Sequence, residues 1–323
     1  MSIFKNVLVG IDLLQITDQD SPKFSPPVEE AIRHGLWLAE TASASITFFA
    51  AIAMPDAELN AIGVEEPRVA SQLQRLGQRT LDRLVDSARK RGLAADAKLV
   101  SGEGWVEIIR EVEHGGHDVV IVGTRNVGTV QRLLFGSTAM RLLHNCPCPV
   151  WVTRPEPRPF PHNILITSDF SPVSDITIKL GLAVGELSGS KVHLFHAVDY
   201  VVDRLYSTGL LHYNADEYHE HVKQEAVDKL REQLVRVAGG EPAIAVELNV
   251  VAGESVADSA ILDFIQQNEI DLLVMGTIAL GGLSGVVIGN TAERLVTHVP
   301  CSMLAVKPAD FKSPITLPGA AGS

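Results

Sequence analysis

The sequence predicts an α/β protein built from two tandem, doubly wound domains, each a five-stranded parallel sheet with helices on both faces. Three observations carry this. Short apolar runs rich in Val and Ile alternate with longer amphipathic stretches, the pattern of strands buried on both faces and separated by helical crossovers. The same succession occurs twice along the chain. The length of 323 residues suits two domains of ordinary size, and 46% apolar residues let each bury a core.

The repeat is visible residue by residue. Asn6-Val-Leu-Val-Gly-Ile-Asp12 returns as Asn163-Ile-Leu-Ile-Thr-Ser-Asp169, 157 positions later. Asp118-Val-Val-Ile-Val-Gly-Thr124 returns as Asp271-Leu-Leu-Val-Met-Gly-Thr277, at 153. Gly136-Ser-Thr-Ala139 pairs with Gly289-Asn-Thr-Ala292, and Cys148-Pro-Val-Trp-Val152 with Cys301-Ser-Met-Leu-Ala305, both again at 153. Four matches in one order mark a tandem duplication, with domains expected at 1–153 and 162–308. Four prolines in 154–161 make a stiff linker, and 309–323 reads as a tail with little periodicity.

In the second copy, strand one is expected at 164–168, a helix at 174–187 and strand two at 192–198. Val222, Ala226, Leu230, Leu234 and Val237 then fall on one face of a long helix. Strand three follows at 243–251, a helix at 256–267, strand four at 272–275, a short helix at 292–298 and strand five at 303–306. The first copy runs in the same order. It carries eleven extra residues between Asp12 and its first helix, within 13–27, over the carboxyl end of strand one.

Composition narrows the function. A net charge of −12 with no long Lys/Arg run argues against nucleic acid and anionic membranes as partners. No stretch reaches the ~18 consecutive apolar residues of a membrane helix. The opening MSIFKNVLVGID lacks the features of a secretory leader, so cytoplasm is the expected compartment. Three cysteines, Cys146, Cys148 and Cys301, are too few for a disulfide scaffold; C-x-C spacing without a second pair points to structural thiols and no metal. His193 and His196 alternate with apolar residues on strand two, so one of them is expected in the core or at a pocket. His212, His219 and His221 belong to a solvated helix face. The phosphate-binding, zinc-protease, nucleophile-elbow and dinucleotide signatures are all absent, so no dedicated enzyme is expected and at most slow ATP hydrolysis.

Ligands of open parallel sheets bind beyond the carboxyl ends of the strands, where strand order reverses. Two features of each copy belong there: Asp12 or Asp169 after strand one, and the loop of 123–138 or 276–291 after strand four. Ser137 and Asn290 open helices, whose free amides and dipole suit an anion. A strand-to-helix turn with an N-cap explains the same residues without a ligand, and Asn290 with Glu293 has the spacing of a capping box.

These residues resemble the universal stress protein (UspA-domain) family, which pairs a strand-one Asp with a loop of form G-x-x-G-x9-G-[S/T/N]. The first copy reads Gly123-x-x-Asn126-x9-Gly136-Ser137, the second Gly276-x-x-Ala279-x9-Gly289-Asn290, keeping the spacing but not the second glycine. The tandem layout resembles the E-type members. The resemblance implies a Rossmann-like, adenine nucleotide hydrolase-like sheet of order 3-2-1-4-5 and an adenine nucleotide ligand, ATP with Mg²⁺ as a companion ion. In ATP-binding members the strand-one Asp and a residue near the end of strand two flank the adenine, and the loop holds ribose and phosphates. Carried over, this implies Asp12, Ala51, Gly123, Thr124, Asn126, Gly136, Ser137 and Thr138 in the first copy. In the second it implies Asp169, Ala197, Gly276, Thr277, Ala279, Gly289, Asn290 and Thr291. Asn126 tolerates positive φ better than Ala279, and Arg125 and Arg132 add charge to the first loop, so the second copy departs further from the pattern, with binding expected in at least one copy.

Three readings follow: a nucleotide-binding stress regulator, an interaction module whose loops are structural, and a carrier of another small ligand. Ala51 and Ala197 leave room for the third. The two copies are expected to form an intramolecular pseudo-dimer, and edge strand five offers a surface for a homodimer.

Overall fold

The computed structural model describes residues 3–13, 23–53, 66–124, 135–156, 160–198, 200, 214–252, 257–277 and 289–315. The chain divides into two compact units, Met1–Pro159 with Phe311–Ser323, and Phe160–Asp310. Asn126 and Ala279, with Arg125, Arg132 and His212, lie outside the described residues.

Unit one contains β1 (Asn6–Gly10), α1 (Pro26–Ala42), β2 (Ser45–Ile52), α2 (Glu66–Lys90), β3 (Ala95–Ser101), α3 (Gly104–Gly115), β4 (Val119–Gly123), α4 (Ser137–Asn145) and β5 (Val150–Thr153). Its strands pair in parallel in the order β3-β2-β1-β4-β5. Unit two contains β6 (Asn163–Thr167), α5 (Pro172–Ser188), β7 (Lys191–Val198), α6 (Ala215–Ala238), β8 (Val246–Ala252), α7 (Ala257–Gln267), β9 (Leu272–Gly276), α8 (Asn290–His298) and β10 (Ser302–Val306). It repeats the order as β8-β7-β6-β9-β10. The predicted doubly wound topology is present in both units.

Val7, Leu8, Val9 and Val119 to Ile121 are fully buried, as are Ile164 to Ile166 and Leu272 to Val274. Strands apolar at every position fit only where helices cover both faces. Under α1, Trp151 of β5 meets Trp37 and His34 edge-on. Fifteen residues separate β1 from α1 and four separate β6 from α5, which places the eleven-residue insertion where the sequence put it. The predicted boundaries hold within three residues. The largest shift is at β8, which starts at Val246 rather than 243, where its pairing with β7 begins at Val192.

Each unit ties its central strand down with the same aspartate. Asp118 Oδ2 accepts the Lys5 and Asn6 amides at 2.7 and 3.1 Å. Asp271 accepts those of His162 and Asn163 at 2.8 and 3.2 Å. Burial pushes both carboxyls above their ordinary range, against the effect of these bonds. Asp271→Ala leaves two amides unpaired at the start of β6, and should cost about 1–3 kcal/mol of unit-two stability, read from urea denaturation.

Candidate functional site

A right-handed crossover after each parallel strand puts the start of every following helix at the carboxyl edge of the sheet. In unit one this edge encloses a cavity of about 550 Å³. Asp12, Ala51, Gly123, Thr124, Gly136, Ser137 and Thr138 all line it. These are the seven residues of the first-copy site that lie among the described residues, drawn from β1, β2, β4 and α4. Sequence reasoning did not include Leu73 and Leu76 of α2 or Gly104 at the start of α3, which also line it. The signal for Gly104 was the rule that placed α4: a helix that follows a strand begins at this edge.

The polar character of the cavity comes from two helix ends. Gly136 is the N-cap of α4 and has no side chain to cap it; Glu103 caps α3 without a side-chain bond. Arg141 holds the two helices together, pairing with Glu103 at 2.5 Å and lying 5.2 Å over the Trp105 ring. First-turn amides of both helices are therefore left to solvent or ligand, with their dipoles pointing to the same edge. Thr124, 2% exposed, donates its amide to the Thr153 carbonyl at 3.0 Å, but its Oγ1 is buried without a hydrogen-bond partner among the described residues. An orphaned buried hydroxyl is costly, and this one belongs to a residue lining the cavity.

Unit two brings together the equivalent residues around a smaller cavity of about 200 Å³, lined by Asp169, Ala197, Gly276, Thr277, Gly289 and Thr291. Asn290 is the first residue of α8. The N-cap is Gly289, so the Asn290–Glu293 capping box suggested by the spacing does not form; the helix begins one residue too early for it.

The polar groups of this second site are bonded to one another. Asp169 Oδ1 accepts the Ser174 hydroxyl at 2.5 Å and the Ser171 amide at 3.0 Å, and the Ser174 hydroxyl accepts the Asp169 amide at 3.0 Å. Burial opposes ionisation of Asp169, but bonds from Ser171 and Ser174 outweigh it and hold the carboxyl below its ordinary range. Phe170 sits at φ 61°, a strained conformation for a bulky residue. Its amide bonds Ser168 Oγ at 3.1 Å, and its ring packs 4.3 Å from His196. His196 donates Nδ1–H to the Ser168 carbonyl at 2.8 Å, and burial keeps its imidazole less basic than usual. The Ser168 hydroxyl donates to Gln233, which donates to Asp175, itself held by a two-pronged bond from Arg236. Thr277, the counterpart of Thr124, donates its hydroxyl to the Val306 carbonyl at 3.2 Å. Ser171 and Ser174 escaped sequence reasoning, although serines two and five residues after an Asp carry the spacing of a turn followed by a cap.

His196 is thus the pocket histidine, and His193 the core one, 2% exposed and edge-on to Phe264. On α6, His221 is exposed as expected, whereas His219 stacks on Tyr200 at 3.9 Å. Cys146, Cys148 and Cys301 are buried and unbridged. The hydrogen bond with Cys146, together with burial, pushes the Cys148 thiol well above its ordinary range, which suits a structural thiol. Among the described residues no cluster of three His, Cys, Asp or Glu side chains is placed to hold a metal, and no helix is long and apolar enough to cross a membrane.

The comparisons with known proteins agree with this architecture. The universal stress protein family model matches twice, at residues 3–154 and 161–307, and the chain belongs to that family. Its tandem form has full-length relatives: Universal stress protein E of Escherichia coli K12 is 23% identical over 98% of both chains, and that of Photorhabdus laumondii 24% over 98% of both. A universal stress protein from Archaeoglobus fulgidus has the same fold, with a TM-score of 0.63 at 16% identity over 94% of this chain and 98% of its own. The family is one of stress-response proteins rather than enzymes, in keeping with the missing catalytic signatures.

Two expected outcomes separate packing from ligand roles. A Cβ on Gly123 would lie 2.3 Å from the Pro27 carbonyl oxygen, so α1 requires this glycine whether or not a phosphate approaches. Gly123→Ala should lower unit-one stability by about 1–3 kcal/mol without any ligand, read from urea denaturation. Ser174→Ala should raise the Asp169 pKa toward its ordinary range in a carboxyl-carbon NMR titration. Because the folded-state pKa is depressed, the stability linked to Asp169 is present above its unfolded pKa and disappears as pH falls through the folded one; the variant, which keeps the Ser171 bonds, should show less of that acid-dependent loss.

Proposed function

We propose that this chain is a non-catalytic stress-response regulator that binds an adenine nucleotide in unit one, at the carboxyl edge of β1 and β4. The observation that carries the proposal is the buried Oγ1 of Thr124, without a partner among the described residues, in a residue lining a cavity onto which two helices without side-chain caps open. A cavity of about 550 Å³ lies within the ordinary range of small-molecule sites, about 300–1,000 Å³. Small Ala51 and apolar Val28, Leu73 and Leu76 suit a flat base, while the α4 amides suit phosphate. One dipole contributes about 0.3–1 kcal/mol per charge against the ~8 kcal/mol of micromolar binding, so amides, hydroxyl and apolar wall must act together.

Unit two fits a nucleotide poorly. Its cavity of about 200 Å³ falls below that range, and the Thr277 hydroxyl, unlike that of Thr124 among the described residues, already bonds within the protein. This supports an interaction role for unit two beside a binding role for unit one.

Calorimetric titration with ATP and Mg²⁺ tests the division. Saturable binding to one site should survive Gly289→Val and be lost in Gly136→Val, with thermal stabilisation equivalent to about 2.7 kcal/mol at a hundredfold excess over Kd. Heat in neither wild type nor variant at millimolar ATP would overturn the nucleotide assignment. Loss in Gly289→Val alone would move the site to unit two.

A further inference from the structure

The long helices α2 and α6 occupy the same place in the two units, between strands two and three of each sheet. Their exposed faces carry opposite charge. On α2, Arg75, Arg79 and Arg83 form a row at four-residue spacing, all exposed and without an ion-pair partner among the described residues. On α6, Asp216, Glu220, Gln224, Asp228 and Glu232 form a row at the same spacing, all exposed. Gln224 interrupts this row and donates to Asp228 at 3.0 Å. Like charges four residues apart repel along a helix, so the contacts between like charges within each row do not stabilise its own helix.

We propose that the arginine row of α2 docks on the acidic row of α6 in a second copy of this chain. Both rows are i, i+4 ridges repeating about every 6 Å along the helix, so charges meet in register over their length. The flanks select an orientation. Three residues beyond the row positions, α2 presents exposed Asp82 and Asp86, and α6 presents exposed Lys223 and Arg231. When two helices face each other antiparallel, such equivalent flanks fall on the same side; when parallel, on opposite sides. Antiparallel docking therefore sets Asp82 and Asp86 against the side that carries Lys223, and reverses the sign pattern of the central rows. Glu225 and Lys229, on the other flank of α6, neutralise each other at 2.6 Å.

A second copy fits these rows better than nucleic acid or an anionic membrane. A polyanion needs a broad basic surface, whereas this row is one ridge wide, is bordered by carboxylates and belongs to a chain of net charge −12. The guanidinium groups suit paired carboxylates. Because the contact surfaces on the two copies differ, it is heterologous and carries charge-coded specificity.

Sedimentation equilibrium of the full chain is the test. Wild type should show concentration-dependent association that weakens as added salt screens the pairs. Arg75→Glu/Arg79→Glu/Arg83→Glu and Asp216→Lys/Glu220→Lys/Asp228→Lys/Glu232→Lys should each associate at least about tenfold more weakly, with unchanged thermal melts. Mixed in equal amounts, the two reversed proteins should associate again, since each supplies the complement of the other. If a reversal disturbs the melt, the neutral set Arg75→Gln/Arg79→Gln/Arg83→Gln should still weaken association. A wild type that stays monomeric at all concentrations, reversed variants that associate like wild type, or a mixture that does not recover would each overturn the proposal.

Discussion

A parallel strand cannot turn back on itself; it must be followed by a crossover, and the hand of that crossover is nearly fixed. With β1 and β6 buried on both faces, each unit has helices on both sides of its sheet, and all of them start at one edge. Helix amides and dipoles collect there, beside the point where β1 parts β2 from β4 and β6 parts β7 from β9. This constraint produces a polar cavity in each unit without any side chain being selected for it. Side chains then decide what becomes of the cavity.

The two units make that decision differently. The α4 and α8 starts both lack a side-chain cap, but in unit one Thr124 keeps a hydroxyl without a partner among the described residues, and the volume is large. In unit two a four-residue connection between β6 and α5 draws Asp169, Ser171 and Ser174 into one hydrogen-bonded turn. The left-handed Phe170 lets that turn close, and its ring covers His196. Strain of this kind persists only where surrounding bonds over-determine it, and the amide of Phe170 on Ser168 Oγ is one such bond. Unit two thus bonds within the protein the Thr277 hydroxyl whose counterpart on Thr124 has no partner among the described residues, which is how a duplicated domain can keep its fold while one copy changes task.

The fold was legible because it depends on patterns that the repeat writes twice. Asn6 to Asp12 and Asn163 to Asp169 agree in apolar register, and burial of every β1 and β6 interior residue follows from that register. The site was legible where chain position alone brings residues to the sheet edge, as for Asp12, Gly123 and Gly136. It was illegible where the deciding fact is a bond to a distant residue. Thr124 and Thr277 stand at matching positions in near-identical segments, yet only one hydroxyl reaches a strand-five carbonyl. Gly123 and Gly276 read as room for phosphate, while the structure gives them a packing reason, Pro27 against one and Val173 against the other.

Charge has diverged in the same way on the outer surface. The helices between strands two and three cover equivalent parts of their sheets and bury equivalent ridges, Leu81 and Val85 in α2, Leu230 and Leu234 in α6. Their buried faces are constrained by the sheet and stay apolar. On their exposed faces one row is arginine and the other carboxylate apart from Gln224. Outside these rows both faces carry charges of both signs, Asp82 and Asp86 on α2 and Lys223 and Arg231 on α6. The rows themselves keep one sign each, apart from Gln224, at one spacing, and that complementarity is what the proposed contact between copies would use.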